Sequence, residues 1–298
     1  MHKSLLLFLI ISQICFSQTL TSIPFTVENN CIYFHCKINE TDSLKLLFDT
    51  GADGSVINEN ALKKISLKID GEAENIGSNG KNMVKTSSNN IICLGSIVKR
   101  NVEFSIIQFN TDKFDGIIGT NLMMDNIIEI DYNKNIINFY SINDKTINLK
   151  NYTKNKLIIS KEYPTLIKAS LVIDGKKYKG IFGLDTGADD ILTISEPFQR
   201  ENKLVEKLPK MGSVTATGSN NVSYKMDILL CPEITIGKRC FYRIPITISN
   251  SSEGIDASKN IAGFFGNLFL QKHNIIIDYS NKEIYFKVNN NLYKDFYQ

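Results

Sequence analysis

Leu47-Phe48-Asp49-Thr50-Gly51-Ala52-Asp53 and Gly183-Leu184-Asp185-Thr186-Gly187-Ala188-Asp189 carry the same five residues, DTGAD, behind the same kind of apolar run. An apolar strand delivers an Asp to the end of a sheet. A Gly two residues later permits a tight turn that exposes the carboxylate, and the Thr between them can hydrogen-bond its hydroxyl across to another element. Other stretches recur in the same order. Ile117-Ile118-Gly119 returns as Phe264-Phe265-Gly266, and Ile128-Glu129-Ile130-Asp131-Tyr132 returns as Ile275-Ile276-Ile277-Asp278-Tyr279. Self-similarity on this scale is the duplication of a whole unit, not a short-period array. The second copy is longer, with 81 positions from Asp185 to Gly266 against 70 from Asp49 to Gly119. A loop in its middle can absorb the excess.

Outward from these markers the sequence reads mostly as strand. Cys31 to Ile38, Leu44 to Phe48, Val102 to Ile107, Leu166 to Ile173, Tyr178 to Leu184 and Ile244 to Ile248 are rich in β-branched and aromatic residues and are divided by Gly, Asn and Asp. Asp174-Gly175 is a hairpin signal. Helical patterns are few: Glu196 to Lys207, with Ser195 as cap and Pro197 in the first turn, and short stretches after Gly119 and Gly266. The polar stretch 145–156 separates the copies and sets the boundary near residue 150. The expected organisation is a leader over 1–17, one lobe over 18–150 and a second over 151–298.

The chain is 298 residues long, 43% hydrophobic and 22% charged, enough for two globular units with real cores. A formal charge of +3, evenly spread, is no footprint for nucleic acid. The start reads as a cleaved export signal: Lys3 supplies the positive end, Leu5 to Ile14 the apolar core, and Cys15-Phe16-Ser17 a small-x-small cleavage site. Cys15 lacks the flanking residues of a lipid-acceptor site, and no later stretch is long and apolar enough to span a bilayer. An exported protein, periplasmic or extracellular, is expected. Cys31, Cys36, Cys93, Cys231 and Cys240 remain beyond the leader, an odd number without a CxxC pair. Cys93 and Cys231 read as buried strand positions, and Cys231–Cys240 is the best disulfide candidate.

Each copy offers one carboxylate. Two related halves around a pseudo-twofold axis would bring Asp49 and Asp185 together. Neighbouring like charges cannot both ionise easily, so the pair would share a proton. One carboxyl could then act as base on a water and the other as acid on a carbonyl oxygen.

In these residues the sequence resembles the retropepsin-like aspartic proteases of bacterial exported proteins, in a duplicated two-lobed form. Ile117-Ile118-Gly119-Thr120-Asn121-Leu122 matches the closing element of that family, and Phe264-Phe265-Gly266-Asn267-Leu268 matches it with one residue fewer. The resemblance covers about residues 24–290. It implies an all-β fold of two closed β-barrel lobes with Asp49 and Asp185 as the catalytic dyad. Thr50 and Thr186 would form a hydrogen-bond grip between the lobes. Gly51, Ala52, Gly187 and Ala188 would shape the active-site turns, with Gly119 and Gly266 beneath them. Asp53 and Asp189 would face either the substrate backbone or a structural Arg. Substrate-covering flaps are expected at Gly77-Ser78-Asn79-Gly80 and at Thr217-Gly218-Ser219, where Gly would give a lid its mobility. No Tyr falls in either tip, so the likeness to pepsin is weaker than to retropepsins. The implied activity is hydrolysis of extended polypeptides by a monomer without metal or organic cofactor.

Other chemistries find less support. There is no GxSxG, and His35 and His273 have no partners that mark them as catalytic. No HExxH or EF-hand loop occurs, and Asp189-Asp190 alone is too little for a metal. Glycoside hydrolysis uses two carboxylates but does not require duplicated DTG turns. The remaining alternative is a module that keeps the fold and binds peptides without cutting them.

Overall fold

A computed structural model describes residues 19–41, 43–294 and 296. The expected leader lies outside the described residues. The first half contributes β1 (Thr19–Glu28), β2 (Cys31–Ile38), β3 (Leu44–Phe48), β4 (Ser55–Asn58), β5 (Gly71–Gly77), β6 (Gly80–Leu94), β7 (Ile97–Ile107), β8 (Gly116–Ile118), β9 (Asn126–Asp131) and β10 (Ile136–Ser141). The second contributes β11 (Thr153–Lys156), β12 (Leu166–Ile173), β13 (Lys176–Asp185), β14 (Leu192–Ile194), β15 (Lys210–Thr217), β16 (Ser223–Ile236), β17 (Arg239–Ile248), β18 (Gly263–Gly266), β19 (His273–Asp278) and β20 (Glu283–Val288). Each half thus contributes ten strands.

In each half six strands close into a barrel. The rings run β2-β3-β8-β4-β7-β6 and β12-β13-β18-β14-β17-β16, closed by the β2–β6 and β12–β16 pairings. Closure removes the free edges that an open sheet of this apolarity would expose. Within each ring a short strand lies between two others of opposite sense: β8 runs parallel to β3 and antiparallel to β4, and β18 does the same between β13 and β14. A strand threaded in this way leaves its parallel neighbour's end without a tight hairpin. Asp49 directly follows one such end, and Asp185 ends the other.

The halves are joined by a sheet of six strands, β11-β20-β19-β9-β10-β1. Its seam is the antiparallel pairing of β9 with β19, Ile275 opposite Ile130 and Ile277 opposite Ile128. Every residue of β19 is buried, which accounts for the unbroken Ile275-Ile276-Ile277 run where a half-exposed strand would alternate. Each such Ile contributes about 1.5–3 kcal/mol relative to exposure, so the seam is a core and not a hinge of polar contacts.

The helical pattern over Glu196 to Lys207 divides into α1 (Glu196–Asn202) and α2 (Leu204–Lys207), because Lys203 takes a left-handed conformation with φ of 53°. Ser195 does not cap α1 with its side chain; its hydroxyl donates to the Ile261 carbonyl at 2.7 Å. The expected Cys231–Cys240 bridge is absent. The β16–β17 register sets Cys231 opposite Ile244 and Cys240 opposite Thr235, leaving Cys231 buried, Cys240 exposed and both free. Cys93, expected in the core, is only half-buried near the turn into β7. His35 lies on the exposed face of β2, with Nδ1 3.1 Å from the Ser43 hydroxyl.

Candidate functional site

The two DTG turns face each other where the barrels meet. Their floor is a closed set of four hydrogen bonds. Thr50 Oγ1 donates to the Leu184 carbonyl at 2.8 Å and accepts the Thr186 amide at 3.1 Å. Thr186 Oγ1 donates to the Phe48 carbonyl at 2.7 Å and accepts the Thr50 amide at 3.0 Å. Both Thr are buried, so each hydroxyl uses its donor and one acceptor on backbone groups that would otherwise be orphaned.

Above this floor the Asp49 and Asp185 carboxyls share a hydrogen bond. Each is also held by the turn that follows it. Gly51 and Ala52 amides donate to Asp49 Oδ1 at 2.7 and 3.1 Å, and Gly187 and Ala188 amides donate to Asp185 Oδ1 at 2.9 and 3.0 Å. The Gly requirement is steric. A Cβ on Gly187 would lie 2.5 Å from Asp49 Cγ, and one on Gly51 would lie 2.7 Å from Asp185 Cγ, distances no side chain tolerates. Beneath the turns, a Cβ on Gly119 would meet the Gly54 carbonyl at 2.1 Å. Asp53 and Asp189 are exposed and, among the described residues, neither forms an ion pair with Arg, so the structural-Arg expectation does not hold.

Burial pushes both dyad carboxyls up, and the Asp185 charge pushes Asp49 further. The pair retains a proton above the range of a free carboxyl. Tyr163 is buried beneath the Gly51 turn and packed on Phe264 at 5.0 Å between ring centroids; its hydroxyl lies on the Asp185 side of that turn but makes no hydrogen bond of good geometry. Tyr163 carries no local signal in the sequence.

The proposed flap tips lie over this site and touch. Gly77 ends β5 and Gly80 begins β6, with Ser78 and Asn79 between them; Thr217 ends β15, followed by Gly218 and Ser219. Asn75 Nδ2 donates to Ser219 Oγ at 3.1 Å, and Asn79 Nδ2 donates to the Val222 carbonyl at 2.8 Å. The Ser78 carbonyl accepts the Asp256 amide at 3.0 Å. Tyr224, at the start of β16, donates to Asp256 Oδ2 at 3.0 Å and also bonds Ser78. The Tyr absent from both tips thus stands just beyond the second one.

Asp190 and Asp256 complete the acidic surroundings, pushed up by burial to about 7 and about 6. The folded protein therefore holds protons that the unfolded chain, with carboxyls near 4, has released. Such groups contribute stability at low pH that is lost as pH rises through 6 and 7. His273 runs the other way between about 4 and 6.5: buried against Phe241, Phe269 and Phe286, it is pushed down to about 4. Four raised carboxyls outweigh one imidazole. The expected result is a melting temperature that falls from about pH 4.5 to about pH 7.5, with a shallower slope in Asp190→Asn, read by calorimetry. A melting temperature that rises across this interval would contradict the assignment.

Among the described residues no group of three or more His, Cys, Asp or Glu is arranged to hold a metal ion, and no helix is long and apolar enough to cross a membrane. Comparison with known proteins gives two findings. The sequence profile of a family described as aspartyl protease matches residues 34–122, which spans the first DTG turn and the first closing element. The solved structure of an aspartic proteinase from Irpex lacteus superposes with a TM-score of 0.55 at 14% identity, covering 91% of this chain and 97% of that one. At that identity the likeness is one of fold, and it extends over both halves. No curated protein matches the sequence.

Proposed function

We propose that this chain is an exported aspartic endopeptidase, with residues 18–150 and 151–298 as its two lobes and 1–17 removed on export. The observation that carries the reading is the pair of DTG turns, hydrogen-bonded through Thr50 and Thr186, that bring the Asp49 and Asp185 carboxyls into contact below two hairpin tips. The profile match and the fold likeness support it.

The dyad begins with one proton. The ionised carboxyl takes a proton from a water as its oxygen attacks the peptide carbonyl carbon, while the protonated carboxyl gives its proton to the carbonyl oxygen. The tetrahedral diol then collapses: the protonated carboxyl gives its proton to the amide nitrogen, a diol hydroxyl returns a proton to the other carboxylate as the C=O bond re-forms and the C–N bond breaks, and the dyad again holds one proton beside a free acid and amine. An extended polypeptide under the hairpins would add main-chain hydrogen bonds in the manner of an extra strand.

The test is mass-spectrometric mapping of cuts made by purified residues 18–298 in unfolded protein, from mild acid to neutral pH. Internal cuts at recurring side-chain patterns are expected. A folded protein that makes none across that range sinks the endopeptidase reading in favour of peptide binding without hydrolysis.

A further inference from the structure

The two sides of the cleft differ in chemistry where the duplication would make them alike. Beside Asp49 the wall is apolar: Ala52, Val56, Phe109 and Phe114 pack on Tyr33 and Ile117. Beside Asp185 a cavity of about 410 Å³ opens, and the related positions carry oxygen. Val56 pairs with Ile117 as Thr193 pairs with Phe264, so Thr193 stands where the first half has Val56. Asp190, five residues after Asp185, stands where the first half has Gly54. Asp256 enters from the β17–β18 connection, which is longer than its counterpart between β7 and β8.

These carboxyls lack a cation. Asp190 accepts from the Thr193 and Thr247 hydroxyls on one oxygen, while its other oxygen is buried without a partner. Asp256 is 3% exposed and is met only by the hydroxyls of Tyr224 and Ser249. No Lys or Arg lines the cavity, and neither Asp forms an ion pair among the described residues. Their carboxyls do not converge as a metal-ligand set either. An independent feature of the same wall is a second buried polar group without a partner. Tyr163, 5% exposed, lines the cavity, and its hydroxyl meets no protein group with hydrogen-bond geometry. Buried carboxyls and a buried hydroxyl of this kind call for a donor-rich positive group, and the described residues supply none at this wall.

We propose that the cavity formed by Asp190, Asp256 and Tyr163 is a specificity pocket for a Lys or Arg side chain of the peptide, adjacent to the bond held at the dyad. The inference rests on the peptide-cleft reading above and names its substrate class: polypeptides with a basic residue on one side of that bond and an apolar residue on the other. The aliphatic stem of the basic residue packs along Val214, Met226 and Ile255 in the same wall.

The test separates this inference from the enzyme reading by measuring binding and cleavage independently. Peptides that differ only in carrying Arg, norleucine or Glu on one side of the central bond, and then on the other, are titrated into the Asp49→Asn variant. Arg on one side is expected to bind at least about tenfold more tightly than norleucine, as charge-assisted hydrogen bonds allow, with Glu weakest. The preference should shrink to about twofold or less when Asp190→Asn and Asp256→Asn are added. Unchanged norleucine binding shows that the variant is folded, and Asp190→Asn alone gives the same reading should position 256 not tolerate Asn. Equal affinity for Arg and norleucine, a preference that survives the substitutions, or no peptide binding overturns the proposal. Cleavage of the same peptides by the unsubstituted protein reports on the enzyme reading alone: retained Arg preference without cuts removes the hydrolysis and leaves the pocket.

Discussion

Asp185→Asn is expected to lower kcat by at least about a thousandfold, the range set by loss of positioned acid–base catalysis, with peptide affinity changed little. The local structure favours a folded variant. Asn keeps an oxygen where Asp185 Oδ1 accepts the Gly187 and Ala188 amides, and its amide nitrogen can donate to the Asp49 carboxyl. What disappears is the ability to ionise. With Asn at 185, Asp49 has no partner to exchange a proton with, and no group remains to take one from water while another is given to the carbonyl oxygen. Asp49→Asn should lose as much, and the double substitution no more than either, because the two carboxyls act as one unit. Stability should move in the opposite direction to activity. Burial and the facing charge raise the pair, so at neutral pH the ionised dyad weighs against the folded state, and removing one carboxyl should raise the melting temperature. Steady-state kinetics and thermal melts on the three variants read both effects. Single losses that add in the double variant would mean that the carboxyls do not share a proton.

The elements legible from sequence are those whose cause is local. Cys31–Ile38, Leu44–Phe48 and Leu166–Ile173 are strands with the boundaries their composition implies, and Asp174-Gly175 turns the β12–β13 hairpin with φ of 49° and 74°. The DTGAD stretches are legible because one spacing serves several demands at once: a carboxyl, a hydroxyl that crosses the seam, and a residue without Cβ against the facing Asp. Long-range partners are another matter. Nothing in Ile128 or Ile277 says that β9 and β19 pair, because a fully buried strand has no alternation to set its register. Tyr163 and Asp256 reach the site from two separate connections and Tyr224 from the start of β16, each a lone polar residue with no periodic or motif context. Asp190 adjoins a motif, yet only the barrel geometry turns it towards the Thr193 and Thr247 hydroxyls. The break at Lys203 and the separation of Cys231 from Cys240 likewise follow from packing and register, which act beyond the reach of local pattern.

The grip beneath the dyad should be the second most sensitive feature, and its test distinguishes a hydrogen-bond role from a packing role. Thr50→Val keeps the shape of a buried β-branched side chain but removes the donor to the Leu184 carbonyl and the acceptor for the Thr186 amide. Both backbone groups lie in a dry seam, and each orphaned group costs about 1–3 kcal/mol. A loss of about 2–5 kcal/mol is therefore expected, which for a chain of this size lowers the melting temperature by roughly 5–15 °C. Activity should fall further than folding alone explains. Thr50 and Asp49 are consecutive, and a misplacement of about 1 Å at a reacting group can cost a hundredfold, so kcat should drop well below the melting temperature while KM changes little. Thr50→Ser retains the hydroxyl and should recover most of both losses. Thr186→Val should behave like Thr50→Val, since its hydroxyl bonds the Phe48 carbonyl and the Thr50 amide in the same way. The double substitution decides the mechanism. Once one hydroxyl is gone the lobes can settle apart and let water reach the freed backbone groups, so the second removal should cost about 1 kcal/mol or more less than it does alone, a coupling expected of residues in one network. Strict additivity would mean that each Thr acts within its own lobe, and that the contact between Asp49 and Asp185 is maintained by the β9–β19 seam alone.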